Sequence, residues 1–306
     1  MINIYYRNIK EKALHKLDEF RAGSWIYVEK PTQEEIDQLT KDFGLDEGLL
    51  RDATDLFEVP RLEVEDDIVY IYTRFPFSEN EQILTSPVLI AAGGNFVLTI
   101  SDRPLPGLER FLEHKIDFYT TQKVKFLLIL FSHINSYYNS FLHSTRRKIR
   151  SMIVQLEKIN NRDIIQFVSF ESLLHDFLSA LVPTNSILNN LLSGKHFKLY
   201  EEDKDLIEDL LLSNTQLIEL SQNNLRTIVN IREGYSTIMT NNLNRIIKLF
   251  TSLTVILTIP TMIASIYGMN INLPLANNPL AFIIIMTSII IISIILLIIF
   301  IKNDWL

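Results

Sequence analysis

The pattern of hydrophobic and polar positions divides the chain into three regions. The first, residues 1–118, contains short runs rich in branched and aromatic side chains that predict β-strands: MINIYY, SWIYVE, IVYIYTRF, PVLIAAG and NFVLTIS. The Gly93-Gly94-Asn95 turn predicts a hairpin between the last two runs. The capping box Thr32-Gln33-Glu34-Glu35 predicts a helix that runs to about Gly44. We therefore expect an α+β domain over residues 1–118.

Long helices are predicted in the second region, residues 119–248. Amphipathic stretches with almost no glycine or proline cover residues 122–158 and 162–192. A third helix is predicted to begin near Tyr200, because the chain from Glu201 to Ile259 contains one glycine, Gly234, and no proline. A helix of that length is not stable alone in water, so we expect it to pack in a coiled bundle with its neighbours or with copies of itself.

Two uncharged segments make up the third region. Residues 249–269 and 280–301 carry no charge, and Pro274 and Pro279 place a loop between them. Each segment is close to the roughly 20 residues that cross about 30 Å of hydrocarbon. We therefore predict two transmembrane helices, 249–269 and 280–301, with an outer loop at 270–279 and a tail at 302–306.

The distribution of basic residues predicts the orientation of these helices. Arg245 and Lys248 precede the first segment and Lys302 follows the second, whereas the connecting INLPLANNP has no basic residue. The positive-inside rule then places the loop outside and both termini in the cytoplasm. The first residues, MINIYYRNIKEK, lack the apolar core of a signal peptide. We expect a multi-pass protein of the cell (plasma) membrane, with a mean hydropathy of +0.16 that reflects its large polar part.

Charge and composition argue against several classes of function. A net charge of -7 disfavours nucleic acid as a partner. The chain has no cysteine, its six histidines form no i,i+4 pair, and it has no glycine-rich phosphate loop, so we expect neither an enzyme nor a nucleotide-binding protein. The basic cluster Arg146, Arg147, Lys148 and Arg150 is expected to be a solvated or salt-bridged helix face.

Hydroxyl residues recur on one face of the first uncharged segment. They are Thr251, Thr254, Thr258, Thr261 and Ser265, spaced by three and four residues. Such a stripe serves either close helix packing in lipid or the wall of a water-filled pore built from several copies of the helix. The stripe extends back to Ile247 and Asn244 and forward to Gly268, beside Asn270, and this continuation to an amide favours the pore. The second segment has no such register and is expected to face lipid.

The tetrapeptide Tyr267-Gly268-Met269-Asn270 resembles the hallmark of the CorA family of divalent-cation channels, Gly-Met-Asn at the end of the first of two C-terminal transmembrane helices. The surrounding PTMIASIYGMN and the final Trp305-Leu306 are also similar to that family. The layout matches over the whole chain, and specific residues match mainly from about 240 to 270. The resemblance implies a homopentamer with a funnel-shaped cytoplasmic domain, in which five copies of the first span line the pore.

The resemblance also implies roles for single residues. Gly268, Met269 and Asn270 would form the selectivity filter, with five Asn270 carbonyls around a hydrated Mg2+. Ile247 and Phe250 would form the gate at the cytoplasmic constriction. The pore-lining residues would be Asn244, Thr258 and Thr261, to which the stripe adds Thr251, Thr254 and Ser265. Two features depart from the family: methionine is frequent where Thr258 and Ile247 stand, and INLPLANNP lacks the usual acidic residue.

A regulatory metal site is implied at the start of the third long helix. The segment EEDKDLIED, residues 201–209, has six carboxylates and one lysine, which a solvated helix N-terminus also explains through the helix dipole. The resemblance places Asp209 at the inter-subunit sensor position. Our hypothesis is that cytosolic Mg2+ bridges subunits there and holds the channel shut. The sequence does not identify the partner of Asp209 in the N-terminal domain.

Together these observations predict a passive channel for the influx of hydrated Mg2+. Cytosolic Mg2+ would regulate this influx, so Mg2+ is expected to be both the substrate and the regulatory ligand. Mg2+ gives up its water reluctantly, and neutral amides can hydrogen-bond that water without trapping the ion. Three alternatives stay open. They are a Zn2+ transporter of the ZntB type, a Co2+ or Ni2+ transporter, and a membrane-anchored interaction protein with no transport activity.

Overall fold

The computed structural model describes residues 1–80, 82–153, 161–271, 273–274, 278–303 and 305. Parts of three predicted segments, the helix at 122–158, the loop at 270–279 and the tail at 302–306, lie outside these residues. The chain divides into two units, Met1–Asn230 and Ile231–Leu306.

A mixed β-sheet forms the centre of unit 1. Its strands are β1 Ile2–Tyr6, β2 His15–Leu17, β3 Ser24–Glu29, β4 Arg61–Glu65, β5 Ile68–Glu79, β6 Gln82–Ala92 and β7 Phe96–Ser101. Their order is β2-β1-β3-β7-β6-β5-β4, and every pair is antiparallel except β3 and β7. The five predicted strands and the β6–β7 hairpin are confirmed. Sequence reasoning missed β2 and β4, because both are short and carry charged residues.

Two short helices cover one face of the sheet. They are α1 Gln33–Phe43 and α2 Glu47–Asp52. The predicted capping box is confirmed: Glu35 N–H donates to Thr32 Oγ1 at 3.2 Å and Thr32 N–H donates to the Glu35 carboxylate at 3.1 Å. Gly44 ends α1 in the left-handed conformation. Leucine and isoleucine side chains of both helices pack on Tyr70 and Tyr72 of β5. A third short helix, α3 Leu108–Leu112, follows the sheet.

Long helices cover the other face. They are α4 Lys123–Ile153 and α5 Asn161–Leu192, and α6 Glu201–Tyr267 begins beside them. The Thr73 and Thr184 hydroxyls share a buried hydrogen bond of 3.2 Å that joins β5 to α5. Trp25 lies among the aromatic rings of this face and donates to Thr99 Oγ1 at 2.9 Å. The sheet is thus buried between two helical layers.

Each of the three long helices of unit 1 buries one face. Residues at successive spacings of three and four are buried: on α4 at 128, 131, 135, 138, 142, 145 and 149; on α5 at 167, 170, 174, 177, 181, 184, 188 and 191; on α6 at 203, 207, 210, 214, 217, 221, 224 and 228. Lys125 of α4 pairs with Glu202 of α6 at 3.2 Å, and Asn214 of α6 donates to the Leu181 carbonyl of α5 at 2.8 Å. The predicted contact of α6 with its own neighbours is therefore seen within one chain, and a coiled bundle stays a prediction.

Unit 2 contains the remainder of α6 and the helix α7 Ala281–Lys302. The single long helix predicted from Tyr200 onward is confirmed, because α6 runs for 67 residues with Pro260 inside it. Both α6 and α7 are long and apolar enough to cross a membrane. By the same measure α5 also qualifies, but it belongs to unit 1, where its Phe167, Leu174, Phe177 and Leu188 are fully buried.

Candidate functional site

The apolar part of α6 has two faces with different surroundings. One face is partly covered: Ser252 is fully buried, and the half-buried residues are Val255, Ile256, Ile259, Pro260 and Ile263. The other face carries the predicted stripe, and all five hydroxyl residues are exposed: Thr251, Thr254, Thr258, Thr261 and Ser265. The chain therefore does not use its stripe for its own packing. A shallow groove follows the stripe between Thr254 and Ser265.

Three of the four threonine hydroxyls of the stripe donate their protons to the helix itself. Thr254 donates to the Phe250 carbonyl at 2.8 Å, Thr258 to the Thr254 carbonyl at 2.7 Å and Thr261 to the Leu257 carbonyl at 2.8 Å. Each oxygen keeps its lone pairs for groups outside the helix. The exposed face is therefore a row of hydrogen-bond acceptors. It can accept hydrogen bonds from water molecules whose oxygens coordinate a cation.

The helix ends directly before the motif. Gly268 N–H donates to the Ala264 carbonyl at 3.0 Å, Met269 N–H donates to the Ile266 carbonyl at 3.2 Å, and Asn270 is exposed. The last carbonyls of α6 carry the negative end of the helix dipole. A Cβ added to Gly268 would lie 3.4 Å from two carbonyls of its own helix, an ordinary contact. The chain itself thus has room for alanine at 268.

The residues predicted to lie near the cytoplasmic end of the pore are on an exposed part of α6. Asn244, Ile247 and Phe250 belong to a stretch of α6, residues 241–250, in which every residue is exposed. Ile247 is 53% exposed and Phe250 is 61% exposed. Large apolar side chains in such a position are unfavourable in water, so this stretch is suited to contact with further protein.

Acidic residues at the start of α6 have separate roles. Asp203 is buried and accepts the Tyr200 N–H at 3.0 Å, which caps the helix, and Glu202 pairs with Lys125. Asp209 is exposed and forms no ion pair with the described residues. Across the described ranges, no group of three or more histidine, cysteine, aspartate or glutamate residues is placed to hold a metal ion. One copy of the chain therefore does not complete a site at Asp209.

Two further groups in unit 1 relate to the sequence analysis. Of the predicted basic cluster, Arg147, Lys148 and Arg150 are exposed, as expected for a solvated helix face, and Arg146 is half-buried. Sequence reasoning missed several buried polar residues of the long helices, among them Asn135, Thr145, Asn214 and Asn224. These four stand on the buried faces of α4 and α6, so the spacing of three and four residues along each helix is the signal that could have found them.

Comparison with known proteins places this geometry in context. The family model described as CorA-like Mg2+ transporter protein matches residues 21–302. The cobalt/magnesium transport protein CorA of Methanocaldococcus jannaschii is 28% identical over 307 residues, 95% of each chain. The complete structure of the CorA magnesium transporter from that organism covers 100% of this chain and 99% of its own, with a TM-score of 0.88 and 25% identity. The cytoplasmic domain of ZntB from Vibrio parahaemolyticus, 10% identical over 78% of this chain and 98% of its own, shares the fold with a TM-score of 0.64.

Proposed function

The chain belongs to the CorA-like Mg2+ transporter protein family, and on that premise we propose that it is a passive channel for hydrated Mg2+. The observation that carries the proposal is the exposed hydroxyl stripe of α6, on the face that the chain leaves unpacked. One helix cannot enclose water, so the path needs several copies. We propose a homopentamer in which five stripes face a common axis.

The chemistry of the stripe supports a hydrated ion. Mg2+ binds water tightly and in octahedral geometry. The threonine oxygens of α6 accept hydrogen bonds and carry no charge, so they can hold the ion's water without competing for the metal. A row of carboxylates would bind the cation more strongly and slow its release.

Asn270 is proposed as the outer filter, together with Gly268 and Met269. Its amide follows the last turn of α6, where the helix dipole contributes roughly half a negative charge. Five such ends around one axis would attract cations without a fixed carboxylate. Gly268 is proposed as part of the same filter, and a Cβ at this position would meet only ordinary contacts within one chain.

The membrane topology follows from the same proposal. We propose spans at 249–269 and 280–301, an outer loop at 270–279, and cytoplasmic regions at 1–118, 119–248 and 302–306. The basic residues Arg245, Lys248 and Lys302 flank the two spans on the cytoplasmic side. A negative-inside potential, worth about 2.3 kcal/mol per charge per 100 mV, then drives divalent cations inward.

Gating is proposed at two places. Ile247 and Phe250 are large, apolar and exposed, and a ring of such side chains closes a pore by excluding water. Asp209 is exposed and lacks an ion-pair partner among the described residues, which leaves it available to a neighbouring copy. Cytosolic Mg2+ bound there between copies would hold the channel shut.

Cobalt is the second candidate ion. The similar protein from Methanocaldococcus jannaschii is named a cobalt/magnesium transport protein. A path that handles ions with their water attached discriminates weakly between Mg2+ and Co2+, because it contacts water rather than metal. Selection for Zn2+ is less favoured, because the proposed path offers oxygen ligands and no histidine or cysteine.

Flux into liposomes tests the proposal. Purified chain should carry Mg2+ into vesicles, and Asn270→Ala should reduce that flux at least tenfold because the filter loses its amide ring. Asn303→Ala is the matched control, since Asn303 is an exposed amide after α7 and should leave the flux unchanged. Equal flux in Asn270→Ala and wild type would remove the amide ring from the mechanism.

A further inference from the structure

A cleft of about 510 Å3 lies in unit 1, apart from the residues of the proposed ion path. That volume is within the range of sites that bind small molecules. Its walls include the connection between α2 and β4, the hairpin of β5 and β6, and an exposed part of α5. These three walls differ in their chemistry.

Four charged side chains line this cleft, and two of them have no ion-pair partner in the described part of the chain. Glu58 and Arg103 each pair with an oppositely charged residue of the same chain. Arg74 and Asp176 interact with each other only over a distance longer than an ion pair. Burial lowers the pKa of the Arg74 guanidinium and raises the pKa of the Asp176 carboxyl. The cleft thus holds one positive and one negative group, each available to a counter-charge from outside the chain.

The wall formed by β5 and β6 offers hydrogen-bond donors. Arg74 Nε donates to Thr85 Oγ1 at 3.0 Å, which leaves the proton of that hydroxyl available to an acceptor in the cleft. Ser86 also lines the cleft, is 1% exposed, and has no hydrogen-bond partner for its Oγ among the described residues. The polar groups of this wall are therefore not all paired within one chain. A carboxylate beside Arg74 and Thr85 would receive both a positive charge and a hydrogen bond.

The wall formed by α5 offers acceptors. Asp176 and Ser179 are three residues apart on this helix, and both are exposed. The Ser179 hydroxyl donates to the Asp176 carbonyl at 2.8 Å, so its oxygen keeps its lone pairs. An ammonium group at this wall would therefore meet a carboxylate and a hydroxyl oxygen.

The connection between α2 and β4 supplies an apolar wall. Arg74 fixes its backbone by donating to the Glu58 carbonyl at 2.7 Å and to the Leu56 carbonyl at 3.0 Å. The side chains of Leu56, Phe57 and Val59 are nevertheless 54%, 88% and 57% exposed. Large apolar side chains held in water by a fixed backbone favour contact with another apolar group.

We propose that this cleft binds a free α-amino acid with an apolar side chain. The carboxylate lies against Arg74, the ammonium lies against Asp176, and the apolar side chain covers Phe57. A simple anion or a simple cation pairs with one wall only, whereas a zwitterion pairs with both. The inference concerns unit 1 and does not rest on the proposed ion path.

Calorimetric titration of the full chain in detergent, without Mg2+, tests the proposal. The probes are L-leucine, 4-methylpentanoate, which lacks the ammonium, and 3-methylbutylamine, which lacks the carboxylate. We expect saturable binding of one leucine per chain, at least tenfold tighter than either analogue, because each analogue leaves one charged wall unpaired. No saturable binding of leucine up to about 10 mM, or equal affinity for all three probes, would overturn the proposal. Ion flux is not part of this measurement, so failure of the proposed channel leaves its result intact.

Two substitutions test the two charged walls separately. Asp176→Asn should weaken leucine binding at least tenfold and leave the affinity for 4-methylpentanoate unchanged. Thr85→Val should weaken the binding of both carboxylate probes at least threefold, with the thermal midpoint of the chain unchanged. Glu171→Gln removes the same charge from α5 outside the cleft and should leave all affinities as in wild type. Unchanged leucine binding in Asp176→Asn, or an equal loss for leucine and 4-methylpentanoate, would overturn the role of the α5 wall and with it the zwitterion.

Discussion

At the residue scale, three threonines of the α6 stripe, Thr254, Thr258 and Thr261, are polar but offer no hydrogen-bond donor to their surroundings. Their protons are given to carbonyls four residues earlier, so each presents an acceptor oxygen and a methyl group. Thr287 on α7 has the same hydrogen bond, to the Ile283 carbonyl, but belongs to no stripe. The hydroxyl alone therefore does not distinguish the two helices. What distinguishes them is the repetition of hydroxyls on one uncovered face.

Another single residue sets an expected pH dependence. His133 of α4 is 9% exposed, its Nε2 lies 2.8 Å from the Pro106 carbonyl, and its ring packs edge-on against Phe111. Burial lowers the pKa of the His133 imidazole below its usual 6.5, and Arg110 acts in the same direction, while the hydrogen bond to Pro106 opposes them. The folded state therefore favours the neutral ring.

The sign of the effect follows from that lowered pKa. Below pH 6.5 the unfolded chain takes up a proton at His133 before the folded chain does, so stability present above pH 6.5 is lost as the pH falls. We expect the thermal midpoint of the full chain in detergent to fall between pH 7.5 and pH 5.5, and to fall less in His133→Gln. His143→Gln, at an exposed position of the same helix, is the control. A pH dependence in His133→Gln as steep as in wild type would contradict this role.

How far single residues could be predicted depends on what determines their roles. The stripe from Thr251 to Ser265 could be predicted, because helical spacing alone puts those residues on one face. The partner of Asp209 could not, since one copy of the chain leaves that carboxylate exposed. Asn214 could not be recognised as a structural residue either, because its role comes from the Leu181 carbonyl on another helix.

At the element scale, α6 changes its pattern along its length. Buried residues recur at spacings of three and four as far as Ile231, whereas residues 241–250 are all exposed and the stripe begins at Thr251. The helix continues from one pattern to the other because it has no helix-breaking residue between them. Gly234 is the single glycine between Glu201 and Pro260, and glycine has a low helix propensity.

Gly234 gives a prediction about the stability of this helix. A Cβ at 234 meets nothing within 4 Å, so Gly234→Ala keeps all contacts and removes a helix penalty of about 1 kcal/mol. We expect the thermal midpoint, followed by helical circular dichroism in detergent, to rise by roughly 2–4 °C. Gly44→Ala should lower it, because Gly44 has a φ of +64°. A lower midpoint in Gly234→Ala would show that the helix needs flexibility there.

Elements with a strong repeating pattern could be predicted, and the others could not. The strands β5, β6 and β7 are rich in branched side chains, and the capping box marks the start of α1. By contrast, β2 has three residues, His15–Leu17, and is held by pairing with β1. The parallel pairing of β3 with β7 is also beyond sequence reasoning, because it joins segments separated by three other strands.

At the scale of the whole molecule, the proposal depends on assembly. The stripe, Asp209 and the apolar residues Ile247 and Phe250 are all exposed in one chain. Contact between copies of the chain along α6 would account for the exposure of all these groups in a single copy. The family and the fold are shown for nearly the whole chain, and the number of copies is our proposal.

Regulation gives a prediction at this scale. Asp209→Lys replaces the proposed metal ligand by a cation, so internal Mg2+ should no longer hold the channel shut. We expect inhibition of flux by internal Mg2+ to weaken at least fivefold, a coupling of about 1 kcal/mol or more. The measurement is Mg2+ influx into liposomes loaded with graded Mg2+. Glu208→Lys, at the adjacent exposed position, is the control for charge. Inhibition that is the same in Asp209→Lys and wild type would exclude this site.

Cysteine accessibility tests the central claim most directly, namely that the hydroxyl face of α6 lines a water-filled path. The cysteine-free chain allows single substitutions, Thr258→Cys on the stripe and Ile259→Cys on the covered face. The account predicts that a water-soluble, positively charged thiol reagent modifies Thr258→Cys in the assembled protein and blocks its Mg2+ flux, while Ile259→Cys stays unmodified and active. An unreactive Thr258→Cys, or equal reactivity at both positions, would contradict it.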